Sequence, residues 1–261
     1  MKIYFDSNLV SEWKSDAVDR QPEESCGLFI QYERNYPIEF CSLPNIAKER
    51  EKEFEMDPVL FYKLEKQYEI KAIVHSHTNY PHASKKDMEM QQKMKTPWGI
   101  VNFHKGAARE VFFFGDQLPI QDFIGRPFHH GVYDCYGIIR DFYRMCKISM
   151  IDHPRGYRWW NLKGPNLLTE HYKDNGFYRI KENQLQPGDV IFMNIGGNQI
   201  NHAALYIGEN LILHHLVNRL SRREPYTIWQ RRSNFIVRHK DAQKNSLIWE
   251  LSTNLRRSIQ A

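Results

Sequence analysis

Reactive residues cluster in two parts of the chain. One is GVYDCYGIIRDFYR, from Gly131 to Arg144, where a polar turn of His129, His130 and Gly131 runs into Asp134 and Cys135. Ile138, Ile139, Phe142 and Met145 then fall on one helical stripe. The spacing predicts a helix with Asp134 as N-cap and Cys135 in its first turn. Unpaired amides and the helix dipole there favour a thiolate, lowering a cysteine pKa from about 8.5. A cysteine so placed is a candidate nucleophile, although a small apolar residue opening a buried helix leaves the same trace.

A nucleophilic cysteine needs a base, and the base needs a group to orient it. Asn201-His202 opens the segment HAALYIG after the Gly196-Gly197 turn, and LILHHL follows across Gly208-Glu209-Asn210. The two segments read as a hairpin with His202 as the base. If Gly208, Glu209 and Asn210 all form the loop, His214 lies on the face of His202, diagonally across. If only Glu209 and Asn210 turn, the face flips and His215 takes that place. Asp189, in LQPGDVIFM, reads as a turn-former.

The second concentration is Glu24, His75, His77, Ser84 and Asp87. Side chains alternate along a strand, so the H-x-H of His75 and His77 puts both imidazoles on one face. A loop through Tyr80-Pro81 leads to Ser84 and Asp87 at a helix start. Two histidines, a carboxylate and an open fourth position are the donor set of a catalytic zinc, whose bound water has a pKa of about 7. A further carboxylate, off the metal, is then wanted to move the water's proton. Ser84 and Asp87 taken alone are a capping box.

These residues must be positioned by strands and helix starts. In the first part of the chain, Lys2 to Phe5 reads as a strand. Ser7-Asn8 caps a helix to about Asp19, and strands follow at Gly27 to Tyr32 and Ile38 to Leu43. Asp57-Pro58 starts a second helix. KAIVHSHT is a strand, KKDMEMQQKMK a helix, and GIVNF and EVFFF two more strands. Residues 118–128, with Pro119, Gly125 and Pro127, read as a linker. Beyond it come the Cys135 helix, a helix near Asn166 to Lys173, and strands at Val190 to Asn194, His202 to Ile207, Leu211 to Leu216 and Phe235 to Arg238. The expectation is an α+β protein of two domains, 1–117 and 129–240, with a C-terminal tail, 241–261, in which LIWEL is a short docking helix.

Composition narrows the classes. A chain of 261 residues with 41% hydrophobic residues can bury two cores. The net charge of +5 is mild, and no block of like charge is long enough to indicate nucleic acid. Arg222-Arg223 and Arg231-Arg232 read as a solvated face. The four cysteines, Cys26, Cys41, Cys135 and Cys146, form no CxxC pattern. No apolar run is long enough for a signal peptide or a membrane span, so a soluble protein made in a cytoplasm is expected, without membrane insertion.

Both sets of residues resemble known families. Glu24 in PEESCG, His75-Ser76-His77 and Ser84-Lys85-Lys86-Asp87 resemble the JAMM (MPN-type) metallopeptidases over residues 1–115. The resemblance implies an α/β/α domain with Zn2+ on His75, His77 and Asp87, Glu24 as general acid/base, and Ser84 steadying the oxyanion or water. The loop from His77 to Ser84 is one residue shorter than the commonest spacing, and Thr78 replaces the usual proline. Glu23 competes with Glu24, but the spacing to Gly27 favours Glu24. Asp134-Cys135-Tyr136-Gly137, LQPGDVIFM and HAALYIGENLILHH resemble the papain-like NlpC-type cysteine peptidases over residues 129–238, with Tyr136 where serine is common. That likeness implies Cys135 as nucleophile, His202 as base and His214 as orienting residue, in agreement with the three-residue loop. The two domains in this order resemble the tail tip assembly protein K family of lambda-like phages. This implies other tail tip proteins as partners, a place at the virion tail tip, and peptidoglycan stem peptides as substrate, plausibly at the D-glutamyl–diaminopimelate bond. The N-terminal substrate would be a peptide or isopeptide bond. A structural or scaffolding role, with one or both sites vestigial, is the alternative.

Overall fold

The computed structural model describes residues 4–78, 80–161 and 166–258, and the chain divides into two units, Met1–Pro119 and Ile120–Ala261. The first unit contains α1 (Ser7–Asp19), β1 (Cys26–Gln31), β2 (Glu39–Leu43), α2 (Pro58–Gln67), β3 (Glu69–His77), α3 (Lys85–Met94), β4 (Trp98–His104) and β5 (Ala107–Phe114). Its sheet has the order β2-β1-β3-β4-β5. Only β3 and β4 run parallel, and the crossover between them carries α3.

Two expectations at the start of this unit fail. The cap of α1 is Asp6, whose carboxylate accepts from Asn8 N and Leu9 N, both at 2.9 Å, so Ser7 is already helical. Residues 4–6 form no strand; the Phe5 ring instead packs on Phe29 and Phe113, at centroid distances of 5.0 and 4.7 Å. Lys2 and Ile3 lie outside the described residues.

Strand alternation in β3 sorts its side chains by task. Ala72 and Val74 join Leu9, Trp13 and Ala17 of α1 in a core with Phe29, Val101 and Phe103. His75 and His77 take the opposite parts of the pleat and face away from α1. Trp13 is fully buried; truncating it to alanine would cost roughly 3–5 kcal/mol.

The second unit contains α4 (Cys135–Met145), α5 (Leu167–His171), β6 (Phe177–Ile180), β7 (Val190–Met193), β8 (His202–Gly208), β9 (Leu211–His214), β10 (Arg222–Pro225), α6 (Tyr226–Trp229), β11 (Ser233–His239) and α7 (Ser246–Arg257). The sheet order is β10-β9-β8-β7-β11-β6, antiparallel throughout. Ile138, Ile139, Phe142, Tyr143 and Cys146 bury one stripe of α4 in a core with Ala203, Leu205 and Ile207 of β8. Met145, expected on that stripe, is 46% exposed, and Cys146 takes the last buried position. Among the described residues no helix is long and apolar enough to cross a membrane.

The expected boundaries of the second domain are corrected at both ends. Residues 120–128 are packed structure rather than linker. Phe123 is buried in the core of this unit, and Arg126 Nη1 donates to Asp141 Oδ2 at 2.7 Å. In the expected tail, the docking helix anticipated at LIWEL forms but is longer, as α7, and Ile248 and Leu255 join the same core, so the unit extends past 240. Arg222-Arg223, read as a solvated pair, lies in β10, and Arg223 Nη1 donates to Leu255 O at 2.8 Å. Neither β10 nor β6 was anticipated, because both are short and carry charged residues.

The β8–β9 hairpin joins features of both expected loops. Glu209 (φ 52°) and Asn210 (φ 59°) alone make the turn, with the positive φ pair that a tight two-residue connection requires. Pairing runs Gly208↔Leu211 but then Tyr206↔Ile212, so a bulge adds one residue to β8. The extra residue restores the alternation that the short turn would have reversed, and His214 comes to the side of His202. Gly208 sits in the bulge at φ 94°, and a Cβ there would meet Arg256 Nη1 at 2.7 Å.

Candidate active sites

Cys135 opens α4 directly behind its cap. The Asp134 carboxylate accepts from Tyr136 N at 3.1 Å and Gly137 N at 2.9 Å, and through its other oxygen from Gly131 N at 2.9 Å. Arg155 grips the same carboxylate from the side. Residue 137 must be glycine because a Cβ there would run into the Val132 carbonyl oxygen. This fixes the close turn that delivers Cys135 to the sheet.

The thiol is partly exposed. It meets the Ala203 amide, one peptide unit beyond His202. Burial pushes it up to about 12, and the Asp134 charge adds to this, against hydrogen bonds from the Ala203 and Tyr136 amides. The expected lowering by the helix terminus is therefore outweighed: the resting group is a thiol that needs a base to ionise it.

His202 Nε2 stands 3.1 Å from His214 Nδ1. Burial, and then the neighbouring His214 and His215, hold His202 well below the usual histidine range, so its ring is neutral and free to accept a proton. His215 does not share this arrangement; its Nε2 donates to Arg219 O at 3.1 Å, and its ring meets Phe128 edge-on. Asp189 serves the fold. It accepts from Gln186 N at 2.7 Å and holds Arg238 through both oxygens, each at 2.8 Å.

One group near His202 and His214 was missed entirely. Glu224, on β10, lies with Oε2 3.1 Å from His214 Nε2 and accepts from Trp229 Nε1 at 2.6 Å. Arg222 contacts its other oxygen at 2.5 Å. Arg222 and Glu224, opposite charges two residues apart, were the available signal. It read as a solvated run because a four-residue edge strand that runs directly into the next helix has no apolar alternation.

In the first unit, His75, His77 and Asp87 bring their donor atoms within 4.8 Å of one another. The two Nε2 atoms are 3.0 Å apart, and Asp87 approaches His75 with Oδ1 at 3.6 Å and His77 with Oδ2 at 3.3 Å. His77 Nδ1 donates to Tyr80 O at 3.1 Å, which leaves Nε2 as a lone-pair donor directed at the cluster. The capping box is formed too: Ser84 N donates to Asp87 Oδ2 at 2.7 Å, and Asp87 N to Ser84 Oγ at 3.1 Å. Capping and ligation are compatible, because the box fixes the carboxylate that faces the imidazoles. Burial opposes ionisation of Asp87, but the charges and hydrogen bonds of His75 and His77 outweigh it and hold the carboxyl well below the usual range.

Glu24 and Ser84 line a cleft of about 710 Å³ beside this cluster, walled by Phe54, Met56, Phe61, Met90, Met94 and Trp98. Burial pushes Glu24 up to about 7, with His77 pulling the other way. Its neighbour Glu23 turns out to Arg50, at 3.5 Å. Two imidazole donors and one carboxylate, with a further carboxyl nearby, fit a zinc ion.

Residues 125–238 match the NlpC/P60 family. The chain is 37% identical over 190 residues to the tail tip assembly protein K of Escherichia phage lambda, covering 71% of this chain and 89% of the relative. It is 32% identical over 239 residues to the tail tip assembly protein K of Escherichia phage N15, covering 88% of this chain and 93% of the relative. Among solved structures, an NlpC/P60 family protein from Bacillus cereus ATCC 10987 aligns at 14% identity with a TM-score of 0.35, covering 87% of this chain and 66% of that one.

Proposed function

The chain belongs to the tail tip assembly protein K family, and from that premise we propose that it is a hydrolase of the phage tail tip with two sites. The second unit is a cysteine peptidase that cuts peptidoglycan stem peptides, plausibly at the D-glutamyl–diaminopimelate bond. The first is a zinc-dependent peptidase or isopeptidase. Other tail tip proteins are its assembly partners, and the tail carries the cysteine site to the cell wall.

The observation that supports this reading is the hydrogen bond of the Cys135 sulfur with the Ala203 amide, one residue along β8 from His202, whose Nε2 stands 3.1 Å from His214 Nδ1. His202 takes the thiol proton, and the sulfur attacks the carbonyl carbon of the scissile bond. The protonated ring then delivers that proton to the leaving amine as the C–N bond breaks, leaving a thioester. Water, deprotonated by the same ring, releases the acid and restores the thiol. Each half of the cycle returns His202 to neutrality, which suits a base whose burial disfavours lasting charge.

In the first unit His75, His77 and Asp87 would hold the metal. Zinc, when bound, supplies a Lewis acid and a water of lowered pKa. Glu24, titrating near neutrality, is suited to take a proton at its carboxylate and return it to a leaving amine. The Ser84 hydroxyl, whose oxygen already caps α3, retains a hydrogen to donate into the cleft.

Digestion of purified peptidoglycan tests the proposal. Wild type is expected to release cleaved stem peptides by mass spectrometry, and Cys135→Ala to release none. Wild-type protein that leaves the polymer intact, with its cysteine chemically accessible, would overturn it in favour of a structural tail tip role.

A further inference from the structure

A line of polar contacts runs inward from the edge of the second sheet: Glu224 to His214, and His214 to His202. The donors and acceptors along it can be assigned. Arg and Trp side chains only donate, so Arg222 gives a hydrogen to Glu224 Oε1, at 2.5 Å. Trp229 Nε1 gives one to Oε2, at 2.6 Å. A carboxylate only accepts, so the third contact, 3.1 Å from Oε2 to His214 Nε2, requires the hydrogen on Nε2. A neutral His214 then presents a bare Nδ1 to His202. His202 Nε2, 3.1 Å away, must carry the hydrogen of that contact, and Nδ1 is left as the one basic nitrogen of His202.

We propose that Glu224 is a positioning residue for the cysteine chemistry, fixing the His214 tautomer so that His202 keeps an unprotonated Nδ1 for the Cys135 proton. The inference rests on the cysteine peptidase reading above. Glu224 has a second effect once the thiol proton moves. The positive charge formed on His202 is shared through His214 toward an anion that Trp229 and Arg222 hold in place. The indole of Trp229 also meets the His214 ring edge-on, with centroids 4.9 Å apart, which limits tilting of that ring. The titratable and charged groups facing the two histidines are Asp134 from α4, His215 from the end of β9, and Arg222 and Glu224 from β10.

The experiment uses the full chain as wild type, Glu224→Ala and Glu224→Gln, with three readouts. The first is the ring tautomer of His214 by 15N–1H correlation. The second is the pH dependence of Cys135 alkylation by iodoacetamide, quantified on the Cys135 peptide by mass spectrometry. The third is kcat and KM for muropeptides. Glu224→Ala is expected to mix the tautomers and move the alkylation midpoint to higher pH. It should lower kcat roughly 10- to 100-fold, the range seen when an outer partner fixing a histidine is lost, with KM little changed. Glu224→Gln should keep the tautomer, since its amide oxygen can still accept from Trp229 and His214, and so recover much of kcat. Without the charge, its alkylation midpoint should still move up.

A folded Glu224→Ala with the wild-type tautomer and alkylation profile overturns the proposal. If that variant does not fold, an unshifted alkylation midpoint in Glu224→Gln does the same. Wild type that leaves muropeptides intact would count against the peptidase reading alone, because tautomer and alkylation still report on Glu224.

Discussion

Arg155 holds both carboxylate oxygens of Asp134, with Nε at 2.9 Å and Nη2 at 2.8 Å, and both side chains are buried. The cap of the cysteine helix is thus itself half of an ion pair. Through Gly131, Tyr136 and Gly137 that carboxylate also ties together the turn before Cys135 and the first helical turn after it. Arg155→Met leaves a buried carboxylate uncompensated. Breaking such a pair from one side costs about 3–5 kcal/mol, and urea unfolding should show a loss of that size. A loss under about 1 kcal/mol would mean that the backbone donors alone satisfy Asp134.

Cys135→Ala removes only the sulfur, at a partly exposed site. Muropeptide cleavage should disappear while the melting temperature stays within a few degrees of wild type. Residual cleavage with unchanged products would exclude Cys135 as the nucleophile.

Acid should weaken the second unit through its buried histidines. Burial lowers His214 and His215 to about 4, against roughly 6.5 in an unfolded chain. Above that value both rings are neutral in either state and contribute nothing. Below it the unfolded chain binds protons that the folded one refuses, so stability falls as pH drops from about 6.5 to about 4, by on the order of 3 kcal/mol for each ring. Urea midpoints across this range should show the slope. His215→Gln, which keeps a donor for Arg219 O but does not titrate, should flatten it in part, because His202 and His214 still refuse their protons in the folded chain. An unchanged slope would remove His215 from the account.

Zinc binding should depend on the three donors and on nothing in the second unit. Elemental analysis is expected to find about one zinc per wild-type chain and markedly less in His75→Ala and Asp87→Ala. Alkylation of Cys135 should be unaffected in both variants. Metal-free wild type whose melting is indifferent to chelator would sink the metal site, and a parallel loss of cysteine reactivity would contradict independent sites.

Much of this was legible because the informative features are local. H-x-H on an apolar strand, Ser-x-x-Asp at a helix start and Asp-Cys ahead of an apolar stripe each commit a side chain within a few residues. What escaped depends on partners distant in sequence. Arg155 reaches Asp134 across a loop with no periodicity, and Glu224 reaches His214 from an edge strand too short to show alternation. The thiol pKa was misjudged for a similar reason. A helix terminus is visible in the residues around Cys135, whereas the burial that outweighs it comes from the fold.

The bulge between Tyr206 and Gly208 has one more consequence. A strand reads out its residues by parity, odd to one side and even to the other. Which of the adjacent His214 and His215 meets His202 is therefore decided by a count made seven residues earlier, in a stretch that touches no catalytic group. Closing the bulge with Ile207 retained, so that Ile207 rather than Tyr206 pairs with Ile212, would leave the turn intact yet exchange the two rings. Deleting Ile207 would instead keep every other pairing and keep His214 beside His202. Chemistry at this site thus depends on the register in which that segment pairs, which no catalytic candidate itself sets.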